Sequence, residues 1–487
     1  MKKLTNILFK VSIEKIVGSV DVSVNAVVFD SRKIQKNDVF VAQKGLAVDG
    51  HLFIEKAIKL GAVVIVCEVL PVAIKEGITN VQVEDANSTL AMMASNYFGN
   101  PSSHLKLIGV TGTNGKTTIV SLLWQLFKKA GFKVGLLSTV KVIVDTIEFE
   151  ATHTTPDSIT INQYLRKMVD AGVEYCFMEV SSHGIHQKRS HGLCFEGGVF
   201  TNLTHDHLDY HTSFADYRDV KKSFFDSLPT SAFALVNVDD KNGAFMLQNT
   251  KAQQKSYALK TMANFRAKVL EKRLSGSLLT IDGIEVWTKL IGVFNAYNLL
   301  AIVGTAELCG LEKMEVLRIL SELESVNGRF QYTISNGGIT AVVDYAHTPD
   351  ALKNVLKTIV DVRKSTGKIC TVVGCGGDRD ATKRPKMALI ASQLSDQVIF
   401  TSDNPRTEDA QLIINEMEAG VPTENFQKTV SILDRKQAIK TACVMSQKGD
   451  IILVAGKGHE AYQEINGERF HFDDFETVTE CLTQLNK

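Results

Sequence analysis

The sequence has no C-x-x-C pair, although it carries eight cysteines: Cys67, Cys176, Cys194, Cys309, Cys370, Cys375, Cys443 and Cys481. They are scattered, and several lie in apolar runs such as Ala62-Val63-Val64-Ile65-Val66-Cys67. That pattern excludes a disulfide framework and predicts reduced, buried thiols in a cytoplasmic protein. Neither sign of charge is in excess, with 54 Lys plus Arg against 54 Asp plus Glu. A polyelectrolyte partner favours a basic bias, so no nucleic-acid partner is expected. No run of 18 apolar residues exists, so no membrane insertion is expected. Met1-Lys2-Lys3-Leu4-Thr5-Asn6 has two lysines with no sustained apolar stretch behind them, unlike a signal peptide. Short-period repeats and low-complexity segments are missing too, and only eight residues are proline.

What remains is ordinary globular composition: 44% hydrophobic and 22% charged over 487 residues. At roughly 150 residues per domain, that length suggests about three domains. Residues 1–103 hold strand-like runs at 26–29, 38–42, 62–67 and 81–83, with helical patterns at 51–60 and 87–98. The breaker cluster Gly99-Asn100-Pro101-Ser102-Ser103 ends this block. Residues 104–331 open with an apolar strand at 105–110 and a helix reaching Gly131. Further strands are expected at 133–138, 175–180 and 197–201. Residues 332–487 repeat the alternation, with strands at 339–343, 368–373, 397–401 and 450–455 and helices at 349–360 and 385–394. The expected class is therefore α/β. A central, mostly parallel P-loop sheet is flanked by an N-terminal α/β domain and a C-terminal Rossmann-like domain.

The first chemical signal is the strand–turn–helix containing Gly112-Thr113-Asn114-Gly115-Lys116-Thr117. Backbone N–H groups and the helix dipole at such a turn favour phosphate. Lys116 would neutralise the β- and γ-phosphates, and the Thr117 hydroxyl would ligate Mg²⁺. The loop is a variant of G-x-x-x-x-G-K-[ST]: the first glycine position holds Val110, and the nearby glycines are Gly109 and Gly112. Glu179 ends the apolar run Tyr175-Cys176-Phe177-Met178, at the end of a parallel strand where ligands bind. It could hold Mg²⁺ directly or through water. The segment from Thr201 to His211 is dense in His205, Asp206, His207, Asp209 and His211. Neutral imidazole prefers zinc but can complete an oxygen-rich magnesium sphere. This spacing is close to, but offset from, the H-x-H-x-D-H pattern of metallo-β-lactamase-type hydrolases. It leaves open a metal-dependent hydrolase using His205, His207, Asp209 and His211.

Six motifs in order resemble the Mur ligase family of bacterial cell-wall synthesis, over essentially the whole chain. They are the phosphate loop; Glu179-Val180-Ser181-Ser182-His183-Gly184; Thr201-Asn202-Leu203 with Asp206-His207-Leu208-Asp209; Asn295 with Asn298; Asp344-Tyr345-Ala346-His347-Thr348-Pro349-Asp350; and Gly374-Cys375-Gly376-Gly377-Asp378-Arg379-Asp380. The resemblance implies an ATP- and Mg²⁺-dependent ligase that joins a carboxylate to an amine through an acyl phosphate. It places the nucleotide on Gly112 to Thr117, Thr118, Asn295, Arg329 and Asp344. Metal and catalytic roles fall on Lys116, Thr117, Glu179, His207 and Lys221, the last as a carbamate. Neighbouring Lys222 reads as an ordinary surface lysine.

The resemblance also implies three units: a UDP-sugar-binding domain at 1–103, an ATP-binding domain at 104–331 and an amino-acid-binding domain at 332–487. The UDP-N-acetylmuramoyl-dipeptide substrate would lie along Ser31, Thr154, Thr155, Ser181, Gln187 and Arg189. The amino-acid pocket would use Arg379, Asp403, Asn404, Pro405, Arg406, Gly456 and Glu460. In this family an arginine ending Asp403-Asn404-Pro405-Arg406 goes with meso-diaminopimelate as the added residue. A guanidinium grips the extra carboxylate bidentately and would repel a lysine ammonium. The alternatives are a lysine-adding homologue, a folylpolyglutamate synthetase, the hydrolase above and a non-enzymatic nucleotide-binding module. Arg406 opposes the first and residues 1–103 the second. A monomer is expected.

Overall fold

The computed structural model describes residues 1–487 apart from 46, 47, 208, 209, 364 and 365. Asp209 of the hydrolase alternative lies outside the described residues. Three sheets organise the chain. The N-terminal sheet has five strands, in the order Lys15–Val17, Thr79–Gln82, Ala62–Cys67, Asp38–Val41 and Val27–Val28. The last four are parallel and the first is antiparallel to its neighbour. Helix Ala86–Tyr97 packs on this sheet through Leu90 and Met93, and the Asp85 carboxylate caps it by accepting from Asn87 N and Ser88 N.

The central sheet has eleven strands. Its parallel middle runs Val134–Leu137, Tyr175–Glu179, Lys106–Thr111, Gly197–Phe200, Phe233–Asn237 and Gln253–Ala258. Strand Lys106–Thr111 alternates its side chains between two cores, as a period of two requires. Ile108 and Val110 pack with helices Lys116–Lys129 and Val293–Leu308. Leu107 packs on the other face with Leu165, Phe224 and Phe225. Both faces are covered, as expected of a parallel sheet. The edges depart from the expected alternation. A hairpin, Lys141–Val144 and Ile147–Glu150, extends one side, and Phe265–Arg273, Gly276–Ile281 and Ile284–Thr288 form an antiparallel meander on the other.

The third sheet has six strands: Gln331–Ile334, Thr340–Asp344, Ile451–Ala455, Ile369–Val373, Gln397–Phe400 and Thr429–Ser431. All but the first pair are parallel. Helices Pro349–Val362, Arg384–Leu394 and Ala410–Glu418 cover one face, while Arg435–Met445 and Asp474–Gln484 cover the other. The hairpin Tyr462–Ile465 with Glu468–His471 stands apart from the sheet. Among the described residues no helix is long and apolar enough to cross a membrane. The cysteines are all free, and all are buried except Cys194, which is exposed against expectation because it lies in a loop rather than in an apolar strand.

Candidate active site

The phosphate loop is the turn between strand Lys106–Thr111 and helix Lys116–Lys129. Gly112 and Gly115 adopt φ of 145° and 94°, a region that disfavours other residues. A Cβ on Gly112 would collide with the Thr201 hydroxyl, and one on Gly115 would lie 2.6 Å from Asn298 Oδ1. Gly109 is different: its added Cβ would meet Phe224 and Phe195, so packing inside the sheet demands it. The loop is braced from the strand beside it, because Thr113 N donates to Asn202 O at 2.8 Å and Asn114 N to Asn202 Oδ1 at 2.9 Å.

Two lysine amines converge on this loop. Lys116 Nζ donates to Gly112 O at 2.9 Å and to Thr113 O at 2.8 Å. Lys221 Nζ, on helix Phe214–Asp226, donates to the same Gly112 O at 3.0 Å. Lys221 is 1% exposed. Burial and then the neighbouring Lys116 push its pKa well below the ordinary lysine value, against a weaker pull from Asp206. Lys116 is also lowered, chiefly by burial. Lys222, expected at the surface, is 6% exposed, since the helix turns it inward to Asp226 at 2.7 Å.

Glu179 is fully enclosed. It accepts from the Thr117 hydroxyl at 3.1 Å and from Thr139 N at 2.7 Å. A buried carboxylate and a hydroxyl side by side suit a hard divalent cation such as Mg²⁺. His207 adopts a left-handed φ of 55°, and its ring stacks edge-on to His183 at 4.9 Å. Burial foremost, aided by His183, Lys116 and Lys221 and opposed by Asp206, pushes its pKa down to about 3, which keeps the imidazole neutral. The histidines of the hydrolase alternative turn to separate partners: His205 to Asp380 at 3.9 Å, His207 to Asp206 at 3.5 Å and His211 to Asp216 at 3.5 Å. Among the described residues no three His, Cys, Asp or Glu form a metal-holding group.

The six-stranded unit closes over the loop around a cleft of about 630 Å³. Arg329 Nη2 donates to Thr117 Oγ1 at 3.1 Å, and the Arg329 guanidinium lies 4.4 Å over the Tyr345 ring. Arg329 Nε is buried without a partner. Asn114 Nδ2 donates to Asp350 Oδ2 at 3.2 Å. Asp344 accepts from Phe330 N at 2.7 Å, and burial raises its pKa to about 6 against the pull of Arg329. Thr118 and Asn295 line the same cleft, with Asn295 held by Asn298 Nδ2 at 3.1 Å.

The expected sugar-peptide residues fall into two groups. Arg189 donates to Thr155 O at 2.6 Å and to Gln187 Oε1 at 2.7 Å, while Ser181 N donates to Thr155 Oγ1 at 3.0 Å. Thr154 accepts from the Thr139 hydroxyl at 3.0 Å, beside Glu179. Ser31 belongs to the N-terminal unit, buried at the start of the turn Ser31–Lys33.

The expected amino-acid pocket lies at strand ends of the six-stranded sheet. Gly456, at φ 119°, leaves room for the Asp403 carboxylate, since an added Cβ would collide with Asp403 Oδ2. Asn404 Nδ2 donates to Glu460 Oε2 at 2.7 Å. Burial, then Asp403, raises the Glu460 pKa. Pro405 is buried beside them. Arg406 takes a left-handed φ of 52° and donates from Nη1 to Gly377 O at 2.7 Å, while Arg379 is exposed nearby. Beneath, the fully buried pair Arg435–Asp474 at 2.7 Å also ties the strand ends, with Arg435 donating to Ala455 O at 3.1 Å. Sequence reasoning missed Lys457 and Thr139, and named Tyr345 and Asp206 only within motifs, without a role. For Lys457 a signal existed, a lysine between two glycines directly after an apolar strand.

The family model described as Mur ligase family, catalytic domain, matches residues 23–98. Mur ligase middle domain matches 110–306, and Mur ligase, glutamate ligase domain, matches 328–458. A Cytophaga hutchinsonii protein named UDP-N-acetylmuramoyl-L-alanyl-D-glutamate--2,6-diaminopimelate ligase is 54% identical over 486 residues, covering 100% of both chains. A Bacteroides fragilis protein of the same name is 51% identical, covering 99% of each. A solved structure of a ligase with that name superposes with a TM-score of 0.68 at 32% identity, covering 95% of this chain and 96% of its own.

Proposed function

The chain belongs to the Mur ligase family, and from that premise we propose that it uses ATP to add meso-2,6-diaminopimelate to UDP-N-acetylmuramoyl-L-alanyl-D-glutamate. The observation that carries this reading is the shared cleft. The phosphate loop meets Arg329, just ahead of the six-stranded sheet, and Asp350 of that unit, whose other strand ends carry Asp403, Asn404, Arg406 and Glu460. In this reading residues 1–103 bind the UDP-sugar, 104–331 the ATP and 332–487 the amino acid. The protein works as a cytoplasmic monomer.

The chemistry is two displacements. A carboxylate oxygen of the dipeptide attacks the γ-phosphorus of ATP, and the bond to ADP breaks. The amine of the incoming amino acid then attacks the acyl carbon and phosphate leaves. Bound Mg²⁺ would neutralise phosphate charge, held by Thr117, Glu179, His207 and a carbamylated Lys221. Lys116 and the loop N–H groups hold the β- and γ-phosphates in line. Arg189, braced by Gln187, positions the dipeptide carboxylate. Arg329 and Tyr345 roof the cleft and keep water from the acyl phosphate.

Lys221 fits a cation site only once modified. An ammonium beside Lys116 repels Mg²⁺, whereas its neutral amine is a nucleophile. Its nitrogen lone pair attacks carbon dioxide, an N–C bond forms, a proton leaves to solvent and an oxyanion results. For amino-acid choice, Arg406 favours a distal carboxylate over the ammonium of lysine. The test is ADP release with UDP-N-acetylmuramoyl-dipeptide, offering diaminopimelate and lysine separately. Turnover with diaminopimelate is expected. No turnover with either amine overturns the reading, and turnover with lysine alone overturns the role given to Arg406.

A further inference from the structure

Lys457 is enclosed completely, in the loop after strand Ile451–Ala455. Its Nζ donates to Asn404 Oδ1 at 2.9 Å and lies 3.7 Å from Glu460 Oε2. Asn404 Oδ1 also accepts from Glu464 N at 2.9 Å. With two donors on its oxygen, the Asn404 amide has one orientation left, and its Nδ2 must face Glu460. The same loop is pinned on its other side. Gly458 and His459 abut the backbone of Gly328, next to Arg329 of the cleft roof. The hairpin Tyr462–His471 completes the frame: Arg406 N donates to Glu464 O at 3.1 Å and Gln463 Nε2 to Asp403 O at 2.7 Å.

The geometry points to Lys457 as a positioning residue for amino-acid recognition, one that sets the Asn404 amide and offsets the paired acids Asp403 and Glu460 without touching the amino acid itself. The inference rests on the ligase reading above. Its physical basis is that two carboxylates facing one pocket repel each other. A buried cation behind them offsets that repulsion, which favours a pair of acids able to receive ammonium groups of the amino acid. The charged and titratable groups facing Glu460 are Asp403, Lys457, Arg406, Tyr345, Tyr462 and Arg435. Lys457 and Arg406 are cations that hold its pKa down.

The test is steady-state kinetics of full-length Lys457→Met with ATP, UDP-N-acetylmuramoyl-dipeptide and varied diaminopimelate. The KM for diaminopimelate should rise at least ~10-fold, the scale of a lost charge-assisted hydrogen bond. The KM for ATP should stay within about twofold, because Lys116 and the phosphate loop are untouched. Equal rises in both KM values, or an unchanged diaminopimelate KM, overturn the inference. Wild-type protein inert toward diaminopimelate removes the ligase reading and this inference with it. If Lys457→Met does not fold, Lys457→Gln keeps a donor for Asn404 but loses the charge. Its diaminopimelate KM should begin to climb at a higher pH than wild type as pH falls, since Glu460 has lost a cation. Superimposable pH profiles overturn the role.

Discussion

Lys221 and Lys457 are both buried lysines, 1% and 0% exposed, one beside the phosphate loop and one among the strand ends of the six-stranded sheet. Their surroundings differ in one respect. Lys221 faces a backbone carbonyl it shares with Lys116. Lys457 faces an amide oxygen and a carboxylate. Removing an ammonium from water costs several kcal/mol, and only a nearby anion recovers much of it. Against a second ammonium the cheaper state is the neutral amine, which is nucleophilic and open to modification. Beside Glu460 the amine instead has an anion to face and organises its neighbours. Burial alone therefore says little about a lysine, and the sign of the nearest charge decides its chemistry.

The contrast can be broken most directly at Lys221. Lys221→Ala should lower turnover by about 10³-fold or more, the scale of losing a transition-state charge stabiliser, and short carboxylic acids should partly restore it. An active Lys221→Ala enzyme would remove the carbamate and with it half of the comparison. The second probe asks how rigidly the Lys457 end is held. Asp474→Asn strands Arg435 without its charge partner and should cost about 3–5 kcal/mol in denaturant unfolding. A loss below about 1 kcal/mol would mean that this end does not depend on the pair.

A third probe separates recognition from positioning. Arg406→Lys should raise the diaminopimelate KM by about 10- to 100-fold through loss of bidentate contact. The dipeptide KM should hold, and a rise there instead would move Arg406 out of the amino-acid pocket. The smallest effect concerns the roof. His347 Nδ1 donates to Tyr345 O, 2.9 Å away, and burial foremost lowers its pKa to about 4 from 6.5. Between those values the unfolded chain binds more protons than the folded one, so stability falls as pH drops. One such proton contributes a slope of up to about 1.4 kcal/mol per pH unit. His347→Gln should reduce the slope of unfolding free energy between pH 6.5 and 4. Asp344 acts with opposite sign: its folded pKa of about 6 lies above 3.8, so its own contribution is greatest below 3.8 and is lost as pH rises toward 6. An unchanged slope in His347→Gln would show that this imidazole is not held neutral.

Much of this was legible along the chain. The strand before the phosphate loop, the helix after it and Glu179 at a strand end follow from apolar runs and glycine placement, which are local properties. The strand expected at 62–67 is Ala62–Cys67 as observed, because a run of buried β-branched residues leaves little choice. The meander from Phe265 to Thr288 escaped notice because its first strand runs out into solvent and carries Lys268, Glu271, Lys272 and Arg273. The hairpin Tyr462–His471, which holds the Arg406 loop, is mostly exposed and polar for the same reason. Lys222 looked like a surface residue because nothing in a single helix turn reveals which side meets another element.

By itself the sequence determined the α/β alternation, the phosphate loop, the family and the arginine at 406. Each depends on residue types at short spacing, where backbone geometry leaves few options. Only the tertiary structure decided which groups meet. Gly112 O lies between two lysines 105 residues apart in the chain, Arg329 reaches Thr117 across the cleft, and Lys457 sits behind Asn404. Those meetings are set by the packing of separate sheets. The charge that each buried lysine faces is a property of that packing and not of its neighbours in sequence.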